Sequence, residues 1–261
     1  FYTGNVFYKL RHWILYCIIN YYIMQPTHIF TNGCSFMSIR SKERVMTHTG
    51  MELQKLMGLE KACHLGGGGR GNTRNSVTTK AWCEKNSELA DKCFFVISIS
   101  SGQRFDYPVT DRYKAKKFPM LTTHWRTYKP HGHLPVENFF RYLHKECHLD
   151  LDQLIQLESI EAILNIQNYF KVKKYPYVMY KAIKDPEIKV DYKFKDIKAL
   201  WNAVDKTRFF KPETCHLDYT IENNQSCAPG DHHPSTEGHK DWAKQLKESM
   251  GSVRRCQAVM A

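Results

Sequence analysis

Three residues far apart in the chain have the types that nucleophilic catalysis requires. Ser35 stands in Thr31-Asn32-Gly33-Cys34-Ser35-Phe36, and Asp231 and His233 stand in Gly230-Asp231-His232-His233-Pro234. A serine hydroxyl becomes a nucleophile only when a base takes its proton. The base needs a group that fixes its tautomer, and the tetrahedral oxyanion needs fixed donors. The chain offers a candidate for each role: Ser35 as nucleophile, His233 as general base, Asp231 as orienting acid, and the backbone N–H groups of Ser35 and Gly69 as part of an oxyanion hole. Such a set acts on an ester or acyl carbonyl. Taken alone, a serine after Asn-Gly-Cys is more often a helix N-cap; the distant Asp-x-His-Pro segment tips the reading toward the nucleophile.

Other clusters carry less chemistry. Five glycines among the six residues 66–71 lack both the Gly-Lys-Ser/Thr ending of a phosphate loop and the G-x-G-x-x-G spacing, so they predict a turn that shapes the oxyanion hole. His232, His233 and His239 with Cys227, and His144 and His148 with Cys147, suggest metal ligation at first sight. Thirteen histidines in 261 residues produce such pairs by chance, and a zinc site needs three or four convergent ligands, so no metal and no cofactor are expected. Arg104 is a candidate substrate contact, with an Arg104–Asp106 ion pair at a loop base as the alternative. His239 is expected to face solvent or to pack between helices, and Trp82, Trp201 and Trp242 are expected in the core.

These residues need a scaffold that brings them together. Residues 28–32 form a β-rich run ending in Asn-Gly, and residues 42–57 place Val45, Leu53, Leu56 and Met57 at helical spacing, which predicts strand, tight turn and helix, with the helix N-terminus behind Ser35. A short strand at 62–65, the glycine loop and a helix over 73–90 follow. The apolar run 93–99 reads as a central strand of a parallel sheet. A long loop over 104–135, helices in two pieces over 136–170, a strand at 175–180 and a helix over 235–250 capped by Ser235 complete the pattern. Strands alternating with helices predict an α/β fold: a three-layer α/β/α sandwich around a mostly parallel sheet, whose carboxyl ends gather the site.

With these elements in place, the motifs resemble the SGNH (GDSL-like) hydrolases, particularly divergent members of phage and environmental type. Asn32-Gly33-Cys34-Ser35-Phe36 resembles that family's first block, Gly69-Arg70-Gly71-Asn72 its second, and Asp231 to Ala243 its last, so the likeness runs in order over about residues 27 to 248. The resemblance implies a flavodoxin-like fold and esterase, lipase or carbohydrate deacetylase activity on a small-molecule or glycan ester. Two departures stand out. The family's Gly-x-Asn block reads Ser98-Ile99-Ser100-Ser101 here, so Ser100 or Asn72 is assigned to the oxyanion. The usual Asp-x-x-His reads Asp231-His232-His233, so either the loop adjusts or a backbone carbonyl replaces the acid and a Ser-His dyad remains.

Composition bounds the rest. With 261 residues, 42% apolar and 25% charged, the chain is long enough for one core, and the expected organisation is an N-terminal extension at 1–23, one domain at 24–250 and a tail at 251–261. Nine scattered cysteines without a C-x-x-C pair fit a reducing, cytoplasmic location. The apolar run 13–24 keeps a signal or anchor open, although it lacks a small-residue cleavage site and is too short to span a bilayer. The net charge of +12 is dispersed, with short concentrations at 114–117 and 171–174, so solubility is preferred over specific nucleic-acid binding. A catalytically lapsed ligand binder and a basic nucleic-acid-associated protein are the rival readings. Oligomeric state has no sequence signal.

Overall fold

Four strands with alternating side chains build the centre of the molecule. Strand β1 (His28–Asn32) pairs in parallel with β2 (Glu60–His64) on one side and β3 (Cys93–Ile99) on the other, and β3 pairs in parallel with β6 (Tyr177–Lys181), giving the order β2-β1-β3-β6. All seven residues of β3 are buried, as expected for an interior strand covered on both faces. The computed structural model describes residues 26–102, 104–109, 124–127, 135–148, 150–183 and 195–259. The expected extension at 1–23, the apolar run at 13–24 and the lysines at 114–117 lie outside the described residues.

Successive strand residues point to opposite faces, and the core divides accordingly. Phe30, Phe95, Ile97 and Met179 pack with Cys83 of α2 (Asn72–Lys85) and with Ile160, Ile163, Ile166 and Phe170 of α5 (Leu151–Lys173). Ile29, Phe94, Val96, Val178 and Tyr180 pack instead with Leu53 of α1 (Thr49–Met57) and with Trp242, Ala243 and Leu246 of α8 (Thr236–Val259). The result is a three-layer α/β/α sandwich. Trp242 is fully buried, while Trp82 and Trp201 pack half-buried against the opposite core.

Several local expectations are corrected. The helix predicted over 42–57 begins only at Thr49: residues 41–43 form a single 3-10 turn, and Arg40 and Val45 bridge backbone to backbone around it. Helix spacing is overruled there because Val45 is drawn into the core and Arg40 is tied by ion pairs. The helix predicted over 73–90 breaks at Asn86 and resumes as α3 (Ser87–Ala90). The long loop contains an antiparallel pair, β4 (Asp106–Val109) with β5 (His124–Thr127), and is followed by α4 (Pro135–Glu146), which ends before His148. The short helices α6 (Lys195–Ala203) and α7 (His216–Glu222) follow β6. The segment 230–234, expected as a loop, belongs to a ribbon of β7 (Ser226–Ala228) and β8 (Asp231–Pro234). Pro229-Gly230 turns between them, with Gly230 at φ 75°, the left-handed position that a Pro-Gly turn assigns to glycine. The terminal helix runs to Val259, through most of the segment expected as a tail. No described helix is long and apolar enough to cross a membrane.

Candidate active site

The carboxyl end of β1 is locked before the chain reaches Ser35. Asn32 donates from Nδ2 to the Asn75 carbonyl (3.1 Å) and to the Thr78 and Thr79 hydroxyls (both 2.9 Å), while its Oδ1 accepts from the Gly33 N–H (2.9 Å). Gly33 must be glycine, because a Cβ there would stand 2.5 Å from Ser98 Cβ. The next residues form a three-residue 3-10 turn, Ser35–Met37, and not the helix N-terminus that the sequence predicted. A single turn carries little dipole, so the polar environment of Ser35 is set by side chains.

Ser35 is 8% exposed, and its Oγ lies 2.7 Å from His233 Nε2. On the other side of the ring, His233 Nδ1 lies 2.6 Å from Asp231 Oδ1. An ionised carboxylate can only accept, so Nδ1 carries the proton and Nε2 presents its lone pair to the serine hydroxyl. That is the tautomer a general base requires. Asp231 Oδ1 also accepts from the His233 backbone N–H (3.0 Å), and its Oδ2 takes a 2.5 Å contact from Arg40 Nη2, which reaches Glu43 Oε1 at 3.0 Å. Burial opposes ionisation of Asp231. The His233 N–H, the His233 ring and the Arg40 charge outweigh it and lower the carboxyl to about 2.

The expectation that Asp231 sits one position too close is corrected by the ribbon. On an extended strand, residues two apart share a face, so Asp231 and His233 point the same way and exposed His232 points to the other. The spacing Asp-x-His on β8 therefore brings Asp231 Oδ1 to His233 Nδ1.

The residues assigned to the oxyanion form a separate network. Asn72 donates from Nδ2 to the Ser100 carbonyl (3.1 Å) and the Ser159 hydroxyl (2.7 Å), and its Oδ1 accepts from the Ser100 N–H (2.8 Å). Both amide hydrogens of Asn72 are therefore engaged, and Asn72 is corrected from oxyanion donor to a clasp between α2 and the end of β3. Ser100 is fully buried, and its Oγ accepts from Arg104 Nη1 at 3.0 Å. These bonds run among themselves and not to Ser35, and Arg104 is drawn into them. Asp106 accepts from the Gly71 N–H at 2.6 Å, holding the start of α2. The glycine loop closes on the turn that carries Ser35: Gly67 N–H donates to the Gly33 carbonyl (3.1 Å), and Gly69 takes φ 74°.

The sequence reading missed Arg40, which follows Ser35 by five residues with no motif around it. It also missed an aromatic wall behind the base. Phe36 lies 5.0 Å from the His233 ring and 5.5 Å from His216, which stacks on Trp242 at 4.7 Å. His239 is fully buried, with Nδ1 at 3.1 Å from the Thr49 hydroxyl, so it packs between helices and does not face solvent. Among the described residues, no group of three or more His, Cys, Asp or Glu side chains is placed to hold a metal ion. No protein-family model and no curated protein matches this chain.

Proposed function

We propose that this chain is a serine hydrolase of SGNH (GDSL-like) type that cleaves an ester or acyl bond through Ser35, His233 and Asp231. The observation that carries the reading is the continuous Oγ–Nε2, Nδ1–Oδ1 chain of 2.7 and 2.6 Å across three residues already singled out by type. Ser35 Oγ attacks the substrate carbonyl carbon while its proton passes to His233 Nε2. Asp231 holds the resulting imidazolium in place and offsets its charge. In this reading the backbone N–H groups of Ser35 and Gly69 stabilise the developing oxyanion. Collapse of the tetrahedral adduct expels the alcohol or amine, which takes the proton back from Nε2. Water then attacks the acyl-enzyme with His233 again as base, releasing the carboxylic acid and restoring Ser35.

The substrate class proposed is a small-molecule or glycan ester, on the strength of the motif resemblance. Incubation with a fluorophosphonate tests the chemistry. Folded protein labelled at Ser35, with labelling abolished in Ser35→Ala, supports it. Folded protein that stays unlabelled supports a second reading, a ligand binder that has lost catalysis. One observation favours that rival: Asn72, assigned to the oxyanion by the motif resemblance, has both amide hydrogens engaged elsewhere.

A further inference from the structure

The loop that follows the nucleophile is built to hold one guanidinium. Arg40 N–H donates to the Val45 carbonyl (2.9 Å), and the Arg40 carbonyl accepts from Val45 N–H (3.1 Å) and Glu43 N–H (3.2 Å). Arg44 turns the loop at φ 56°, and Val45 anchors it in the core at 3% exposure. The Arg40 side chain, 19% exposed, therefore starts from a fixed backbone and ends with Nη2 between Asp231 Oδ2 and Glu43 Oε1. The groups facing the Asp231–His233 pair are Arg40 and Glu43 from this loop, Cys227 from β7 and His239 from α8.

We propose that Arg40 is a positioning residue of the hydrolytic site: by gripping Asp231 Oδ2 it fixes the carboxylate plane so that Oδ1 meets both His233 Nδ1 and the His233 N–H, and its charge offsets that of Asp231. The inference rests on the serine hydrolase reading. A carboxylate held at Oδ1 alone can swing about χ2 and leave the imidazole loosely aimed. A carboxylate with no cation beside it also favours the protonated imidazolium, which cannot accept the serine proton. Arg40 acts on both. It sets the aim of the base, and its charge offsets that of the carboxylate behind it.

The test measures the rate of fluorophosphonate labelling at Ser35 from pH 5 to 8, with thermal melting as a check on folding, in the wild type and in Arg40→Gln, Arg40→Lys and Glu43→Gln. In Arg40→Gln the plateau rate is expected to fall about tenfold or more, and the acid-side inflection to move up by about 0.5–1 pH unit. Arg40→Lys, which keeps the charge without the planar fork, restores the inflection but only part of the plateau. Wild-type plateau and inflection in Arg40→Gln overturn the inference. So does a lower plateau with an unmoved inflection, since that is what a merely structural role would give. Should Arg40→Gln not fold, Glu43→Gln decides: removing the competing carboxylate moves the inflection to lower pH, and an unmoved inflection overturns the inference. Folded wild type that never labels at Ser35 removes the hydrolase reading itself, an outcome distinct from a labelled protein indifferent to Arg40.

Discussion

Asp231 Oδ1 and His233 Nδ1 lie 2.6 Å apart with one residue between them in sequence, because both side chains leave the same face of β8. Asp231→Asn keeps the shape and removes the charge that fixes the tautomer, so Ser35 labelling at neutral pH is expected to slow by on the order of 10³-fold. A loss of less than about tenfold would mean that a Ser-His dyad carries the site and the acid is dispensable. The same pair is visible in folding. The Asp231 carboxyl is lowered from 3.8 to about 2 in the folded protein, so its contribution is present above pH 3.8 and is lost as pH falls through about 2. Urea midpoints of wild type and Asp231→Asn should differ above pH 4 and converge toward pH 2.

Gly66→Ala probes the contact between the glycine loop and the nucleophile's turn. A Cβ at Gly66 would stand 1.8 Å from the Met37 carbonyl oxygen and 2.5 Å from its carbon, both backbone atoms that cannot swing aside. The loop must move, and the expected cost is about 2 kcal/mol or more of stability by urea denaturation, with slower labelling of Ser35. Gly68→Ala, where nothing lies within 4 Å of the added Cβ, is the control expected to leave both measurements near wild type.

Asn72→Ala separates a clasp from a catalytic donor. Removing the amide strands the buried Ser100 N–H and carbonyl, at an expected cost of about 2–4 kcal/mol. Measured where the variant remains folded, labelling per folded molecule should change by less than about threefold, whereas loss of an oxyanion donor costs on the order of 10²-fold.

The buried histidines make stability sensitive to acid. Burial is the largest cause in each: it pushes His216 well below its ordinary 6.5, His48 and His239 to about 3, and His64 to about 4. The unfolded chain takes up protons near pH 6.5 while the folded chain does not. Folding free energy is therefore lost as pH falls below 6.5, most through the deeply buried His216 and His239. His216→Phe keeps an aromatic ring against Trp242 and removes one of these groups, so its melting temperature should fall less than that of wild type between pH 7 and 5.

The sandwich was legible because β3 is a continuous apolar run and because strand-like and helix-like segments alternate along the chain. Ser35, His233 and Asp231 were legible as types in order. What the sequence concealed was set by contacts between distant segments. Arg40 lies just before the stretch read as a helix, within no motif, and its partner Asp231 stands 191 residues later. Asn72 was read as an oxyanion donor because a motif records which residue is present and not where its amide hydrogens go. The 230–234 segment looked like a loop because Gly230 and Pro234 mask a four-residue strand whose partner has only three residues.

The hydroxyl of Ser35 and its base are separated by 198 residues of chain. During synthesis at about 5–20 residues per second, the serine leaves the ribosome roughly 10–40 s before the imidazole it meets in the fold. Nascent chains thus carry an unarmed alcohol while most of the sheet is being assembled. In the hydrolase reading Ser35 meets its imidazole only once the β7–β8 ribbon is made, so a chain that stops before β8 is expected to stay unlabelled by fluorophosphonate.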